Sequence, residues 1–181
     1  DSISDASGNN ALYGEAGNDT VSAGGGNDVI YGGDDNDVIS DAGGNNGLQG
    51  NAGNDSIAAG AGNDTVYGGQ GADTVDGGAG NNILSGDKGA DSVAGGAGND
   101  TVYGGDDGDT VNAGAGNNYV QGNAGNDSLT VGAGNDTVYG GQGNDSIADG
   151  GAGSGDYLSG DLGDDSIAGG GGNDTMFGGN G

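Results

Sequence analysis

The sequence predicts an all-β repeat solenoid, and three observations predict it. A nine-residue pattern recurs along nearly the whole 181-residue chain. Each unit sets one aliphatic residue between two flanking positions, the period-two alternation of a short strand. Between these triplets lie turns dense in glycine, which supplies 51 residues. Self-similarity at a fixed short period marks stacked coils, because one unit cannot bury its apolar residue alone.

The pattern reads G-G-x-G-N-D-x-U-x, with U aliphatic. Clear copies are Gly24-Gly25-Gly26-Asn27-Asp28-Val29-Ile30-Tyr31 and Gly95-Gly96-Ala97-Gly98-Asn99-Asp100-Thr101-Val102-Tyr103. Numbered from one to nine, the acid falls at position six. That position runs Asp1, Asn10, Asp19, Asp28, Asp37, Asn46, Asp55, Asp64, Asp73, Asn82, Asp91, Asp100, Asp109, Asn118, Asp127, Asp136 and Asp145. Two extra residues enter around Asp149–Gly155, and the series resumes at Asp156, Asp165 and Asp174. Position eight is aliphatic throughout, from Ile3, Leu12, Val21 and Ile30 to Ile147, Leu158, Ile167 and Met176. The aliphatic residue points inward and its neighbours outward. Glycine at one, two and four suits a tight turn and keeps Cβ atoms away from approaching carbonyls.

Composition excludes several functions. The chain has no Cys and no His, so it holds no thiol nucleophile, no disulfide frame and no ordinary zinc site. Without His no Ser-His-Asp triad can form. Lys88 is the only Lys or Arg against 28 Asp and Glu, for a formal net charge of -27. Phosphate neutralisation of a nucleic acid is therefore not expected, and an anionic membrane would repel the chain. No apolar run approaches a membrane span. The acids outside position six, such as Asp5, Glu15, Asp76, Asp87, Asp161 and Asp164, form no catalytic constellation, so the segment reads as a non-enzyme. Lys88 beside Asp87 softens local repulsion.

The repeat resembles the RTX calcium-binding nonapeptide. The resemblance implies a right-handed parallel β-roll with two nonapeptides per turn, positions one to six in the loop and seven to nine in the strand. It implies calcium between successive loops on each edge, held by position-six carboxylates and loop carbonyls. The expected metal residues are Asp1, Asp19, Asp28, Asp37, Asp55, Asp64, Asp73, Asp91, Asp100, Asp109, Asp127, Asp136, Asp145, Asp156, Asp165 and Asp174. Asn10, Asn46, Asn82 and Asn118 are expected to be weaker or partial ligands. Such oxygen donors suit calcium, which takes six to eight. In a roll the acids would stack about 4.8 Å apart and repel by about 1 kcal/mol per pair even in water. The chain is thus expected to be disordered without calcium and a rod of about ten turns, roughly 50 Å long, with it.

A longer period makes the two edges unlike. Asn replaces Asp at position six every 36 residues, always on the same edge of the implied roll. One edge is all acid; the other alternates Asn and Asp. A 72-residue period overlies this: Asp34-Asp35 recurs as Asp106-Asp107, and Gln70-Gly71 as Gln142-Gly143. The whole of 1–181 reads as a single array, expected to be a segment of a longer one.

The outer faces also differ. One sheet carries a small row at position seven (Ser2, Thr20, Val38, Ser56, Thr74, Ser92, Thr110, Ser128, Ser146). The other carries Tyr31, Tyr67, Tyr103 and Tyr139 every 36 residues, then Phe177. These rings either support each other along the sheet or form a sticky stripe for a neighbour. An ice-binding β-roll is a weaker reading of the Ser/Thr row, which Val38 interrupts. The expected role is an extracellular calcium-loaded module that self-associates end to end or side by side in a filament, surface layer, adhesin or matrix. The alternative is a calcium-triggered folding and secretion domain of a secreted enzyme or toxin.

Overall fold

A computed structural model describes the backbone of residues 1–181 and the side chains of all but Gly153 and Ser154. Two 10-stranded parallel sheets face each other, each strand pairing with the one a full turn away in the chain. A turn is 18 residues: Ser2 pairs with Thr20, Thr20 with Val38, and Val38 with Ser56. Two nonapeptides therefore make one turn of a parallel β-solenoid, and no helix occurs among the described residues.

The sheets differ in width. The narrow sheet has strands of three or four residues, such as Thr20–Ser22, Thr74–Asp76 and Ser128–Val131. The three-residue strands are positions seven to nine, as expected, and the four-residue ones add position one. The broad sheet has six-residue strands, such as Val29–Asp34, Thr65–Gln70 and Thr101–Asp106. There pairing continues through positions one to three of the following unit, so the loop on that edge is shorter than positions one to six. The broad strands run into the all-acid edge; the narrow strands run into the mixed edge.

Position eight forms the core. Val21, Ile30, Ile39, Leu48, Ile57, Val66 and their successors to Leu158 are buried. Ile3, Leu12 and Ile167 are only partly covered, and Met176 on the last turn is 52 % exposed. A solenoid turn is sealed by its neighbours, so terminal turns lack cover. Ala23, Ala59, Ala113 and Val131 join the core from position one of the mixed edge.

The loops are built from left-handed residues at two places. Position four has positive φ on both edges, as at Gly53 and Gly62. Position two has it along the all-acid edge, where glycine alternates with Glu15, Asn51, Asp87, Asn123 and Asp161. Asn and Asp tolerate that region best among side-chain residues. The extra residues near 149–155 are taken up in a mixed-edge loop. The strands Ala152–Ser154 and Gly171–Gly172 pair there as a separate two-stranded sheet, with a register irregularity.

Candidate metal centre

The position-six residues form two hydrogen-bonded columns. Along the all-acid edge the N–H of Asp19 donates to Oδ1 of Asp37 at 2.8 Å, and that of Asp37 to Oδ1 of Asp55 at 2.8 Å. The same bond joins Asp55 to Asp73, Asp73 to Asp91, Asp91 to Asp109, Asp109 to Asp127, and Asp127 to Asp145. Across the two extra residues the columns stay in step: Asp136 donates to Asp156, and Asp145 to Asp165. Each carboxylate therefore spends one oxygen on holding adjacent turns in register.

The second oxygen has no such use. Oδ2 of Asp19, Asp28, Asp37, Asp55, Asp64, Asp73, Asp91, Asp100, Asp109, Asp127, Asp136, Asp145 and Asp165 is buried without a hydrogen-bond partner. An unpaired buried carboxylate oxygen is costly, and repeated at this number it calls for a cation. The chain's one basic side chain, Lys88, is in register with Gln70 and Asp106 on the broad sheet, so it cannot serve both columns.

The surroundings of Oδ2 fit a metal. On the all-acid edge position one is always glycine, from Gly14 and Gly32 to Gly140 and Gly160. A Cβ at Gly68 would lie 2.5 Å from Oδ2 of Asp73 and 2.7 Å from the Gly86 carbonyl oxygen. The same two neighbours recur for each position-one glycine from Gly14 to Gly140. These glycines are not left-handed. Space for oxygen, rather than backbone freedom, requires glycine there. Each cradle thus gathers a carboxylate oxygen and a backbone carbonyl from the next turn. No group of three or more metal-binding side chains occurs among the described residues. Any ion held here takes many of its donors from the backbone, as a hard oxygen-seeking cation can.

Burial pushes these carboxyls up. Asp55, Asp73, Asp91, Asp127 and Asp136 rise to about 6, and Asp109 to about 7. Loss of water is the main cause; the donated backbone N–H opposes it, and nearby carboxylates add to it. Asp37, Asp64, Asp100 and Asp145 move in the same direction for the same leading reason.

Asparagine behaves differently at position six. Oδ1 of Asn46, Asn82 and Asn118 accepts the ladder bond from Asp28, Asp64 and Asp100. The amide nitrogen takes the place of Oδ2 and turns toward loop carbonyls. Asn82 Nδ2 lies 3.4 Å from the carbonyls of Gly80 and Gly95, and Asn118 Nδ2 lies 3.2 Å from that of Gly116. Asn10 and Asn46 do the same. The amide thus supplies a donor where the acid units present only acceptors.

The ends are less enclosed: Asp1 is exposed, and Asn10, Asp165 and Asp174 are half-buried. Asp156 is 2 % exposed, like its interior counterparts.

Two features escaped the sequence reading. Position-five asparagines form an outer ladder running the opposite way, with the N–H of Asn63 donating to Oδ1 of Asn45 and that of Asn81 to Asn63. The near-constant Asn at that position was the available signal. The aromatic row also has members at position seven. Tyr103, Tyr119, Tyr139, Tyr157 and Phe177 make a continuous run with ring centroids 5.5–6.3 Å apart. Tyr13 and Tyr31 stack at 5.3 Å. Positions seven and nine both point outward, so the alternation already placed them on one face.

The chain matches the RTX calcium-binding nonapeptide repeat (4 copies) family over residues 4–39, 40–75, 76–111, 112–147 and 149–181. It belongs to that family and is a calcium-binding repeat β-solenoid. Four of the five matched stretches span two full turns of the structure each. No curated protein matches the chain.

Proposed function

We propose that the chain is an extracellular structural module that folds on calcium into a stiff rod. The observation that carries this is the pair of buried carboxylate columns whose second oxygens have no partner. The ions would be held by the position-six acids Asp19, Asp37, Asp55, Asp73, Asp91, Asp109, Asp127, Asp145 and Asp165 on one edge. On the other they would be held by Asp28, Asp64, Asp100, Asp136, Asp156 and Asp174. Asp1 would serve where a further turn precedes it. Asn10, Asn46, Asn82 and Asn118 would contribute weakly, because their amides already satisfy nearby carbonyls. Bound calcium supplies the positive charge that the columns lack and joins each turn to the next. Metal affinity is then folding free energy.

The regular 36-residue design supports a structural role in which 1–181 is one array within a filament, surface layer, adhesin or matrix. Millimolar external calcium suits weak modules of this type. A calcium titration followed together by circular dichroism and light scattering tests the reading. Folding with growth of large particles supports calcium-triggered assembly. Folding without growth favours a folding and secretion module instead. A β-rich spectrum in excess chelator overturns the role given to the metal.

A further inference from the structure

The mixed edge carries carboxylates that the nonapeptide pattern does not account for. Its position-one residues run Asp5, Ala23, Asp41, Ala59, Gly77, Gly95, Ala113, Val131 and Asp149. Three are core side chains with a methyl or isopropyl group in the interior: Ala59, Ala113 and Val131 are at most 1 % exposed. Asp41 and Asp149 occupy the same column and are 8 % and 7 % exposed. An acid stands where the fold elsewhere buries an alkyl group.

Each of these acids is half-satisfied. Oδ1 of Asp41 accepts the N–H of Gly43 at 2.7 Å, and Oδ1 of Asp149 accepts that of Gly151. Oδ2 of both is buried without a hydrogen-bond partner. The carboxyl of Asp41 lies beside that of Asp28, from the loop one turn earlier, whose charge adds to burial in raising it. Oδ2 of Asp28 is likewise buried and unpartnered. Asp149 stands one turn after Asp136, as Asp41 stands one turn after Asp28, and its charge helps to raise the carboxyl of Asp136. In both pairs, Asp28–Asp41 and Asp136–Asp149, each carboxylate keeps a buried oxygen that no donor reaches, and such pairs repel strongly unless a cation joins them.

We propose that Asp41 and Asp149 are additional metal ligands, making Asp28–Asp41 and Asp136–Asp149 two calcium sites of higher charge than the other mixed-edge sites. This rests on the calcium reading above and adds ligands to it from position one. The placement has a logic. Asp41 belongs to the unit whose position six is Asn46, so it returns the charge that Asn46 removes. The units of Asn82 and Asn118 carry Gly77 and Ala113 at position one and get no such return. More carboxylates per site give tighter calcium binding. Occupancy along this edge is therefore uneven, strong at two places and weak around Asn82 and Asn118.

The test counts calcium ions per chain by equilibrium dialysis at saturating calcium, with circular dichroism on the same samples. Asp41→Ala and Asp149→Ala place in each position the residue that the fold accepts at Ala23, Ala59 and Ala113. Each is expected to lose about one ion while keeping its calcium-bound β spectrum, and the double variant about two. Asp76→Asn, at an exposed position-nine acid, is expected to lose none. Ala113→Asp builds the same arrangement with Asp100 and Asn118 and is expected to gain one. Unchanged counts in the two loss variants and in Ala113→Asp overturn the proposal. If a loss variant fails to fold in calcium, the count for Ala113→Asp decides. A wild-type chain that binds no calcium would overturn the underlying reading itself, a result distinct from a wild type that binds calcium with insensitive variants.

Discussion

Gly68→Ala is the sharpest probe of the all-acid edge. At most sites where glycine has an ordinary φ, alanine stabilises a protein by about 0.4–1 kcal/mol, because it restricts the unfolded chain. Gly68 is not left-handed, so backbone strain does not enter. The new methyl, however, would stand 2.5 Å from Asp73 Oδ2 and 2.7 Å from the Gly86 carbonyl oxygen. Neither atom can yield cheaply. Asp73 is tied through its other oxygen to the N–H of Asp55, and Gly86 lies within the strand Ile83–Lys88. Overpacking of this kind costs about 1–3 kcal/mol, and the cradle loses the room for its ion. In a chain of this size 1 kcal/mol moves the melting temperature by about 2–4 °C. The expected fall is therefore about 2–12 °C at fixed calcium, with about one ion fewer bound. The melting temperature is the readout, because it reports the local loss directly at fixed calcium. Gly47→Ala is the control, since a Cβ there meets nothing within 4 Å. It should be neutral or slightly stabilising. If Gly68→Ala melts like Gly47→Ala and keeps its full ion count, position-one glycine is not a metal cradle.

Three further outcomes follow from the same geometry. In metal-stripped protein, carboxyls raised from 3.8 to about 6 or 7 bind protons more tightly folded than unfolded. The stability they contribute is fully present below about pH 4 and is lost as pH rises through 6 to 7. Circular dichroism without calcium should thus show more β structure at pH 5 than at pH 7.5, and an unchanged or reversed trend would count against it. Asn82→Asp replaces an amide donor by an oxygen beside the Gly95 carbonyl, and should add about one bound calcium; an unchanged dialysis count refutes the contrast between Asp and Asn. Tyr119→Ser breaks the ring contacts to Tyr103 and Tyr139. At about 0.5–1.5 kcal/mol per aromatic pair beyond area burial, it should lower the melting temperature by several degrees and leave the ion count alone, whereas a lost ion would tie the ladder to the metal sites.

Much of the molecule was legible in the residues, because each repeat faces the same local problem. Position eight had to point inward once its neighbours alternated, and Val21 to Leu158 do so. Position six had to stack once turns stacked, and Asp19 to Asp165 form that column. The 36-residue spacing of Asn10, Asn46, Asn82 and Asn118 had to make two unlike edges. The tertiary structure decided what no single unit contains. A carboxylate's two oxygens have separate fates, one on the neighbouring N–H and one unpaired, only when another turn lies beside it. In the sequence, position-one glycine suits both the turn and the approach of carbonyls; on the all-acid edge it is not left-handed, and the oxygens beside it are its reason. Asp41 and Asp149 belong to no motif of the repeat. The fold buries them beside the carboxylate of the preceding loop, a proximity between residues 13 apart that only the coiling of the chain creates.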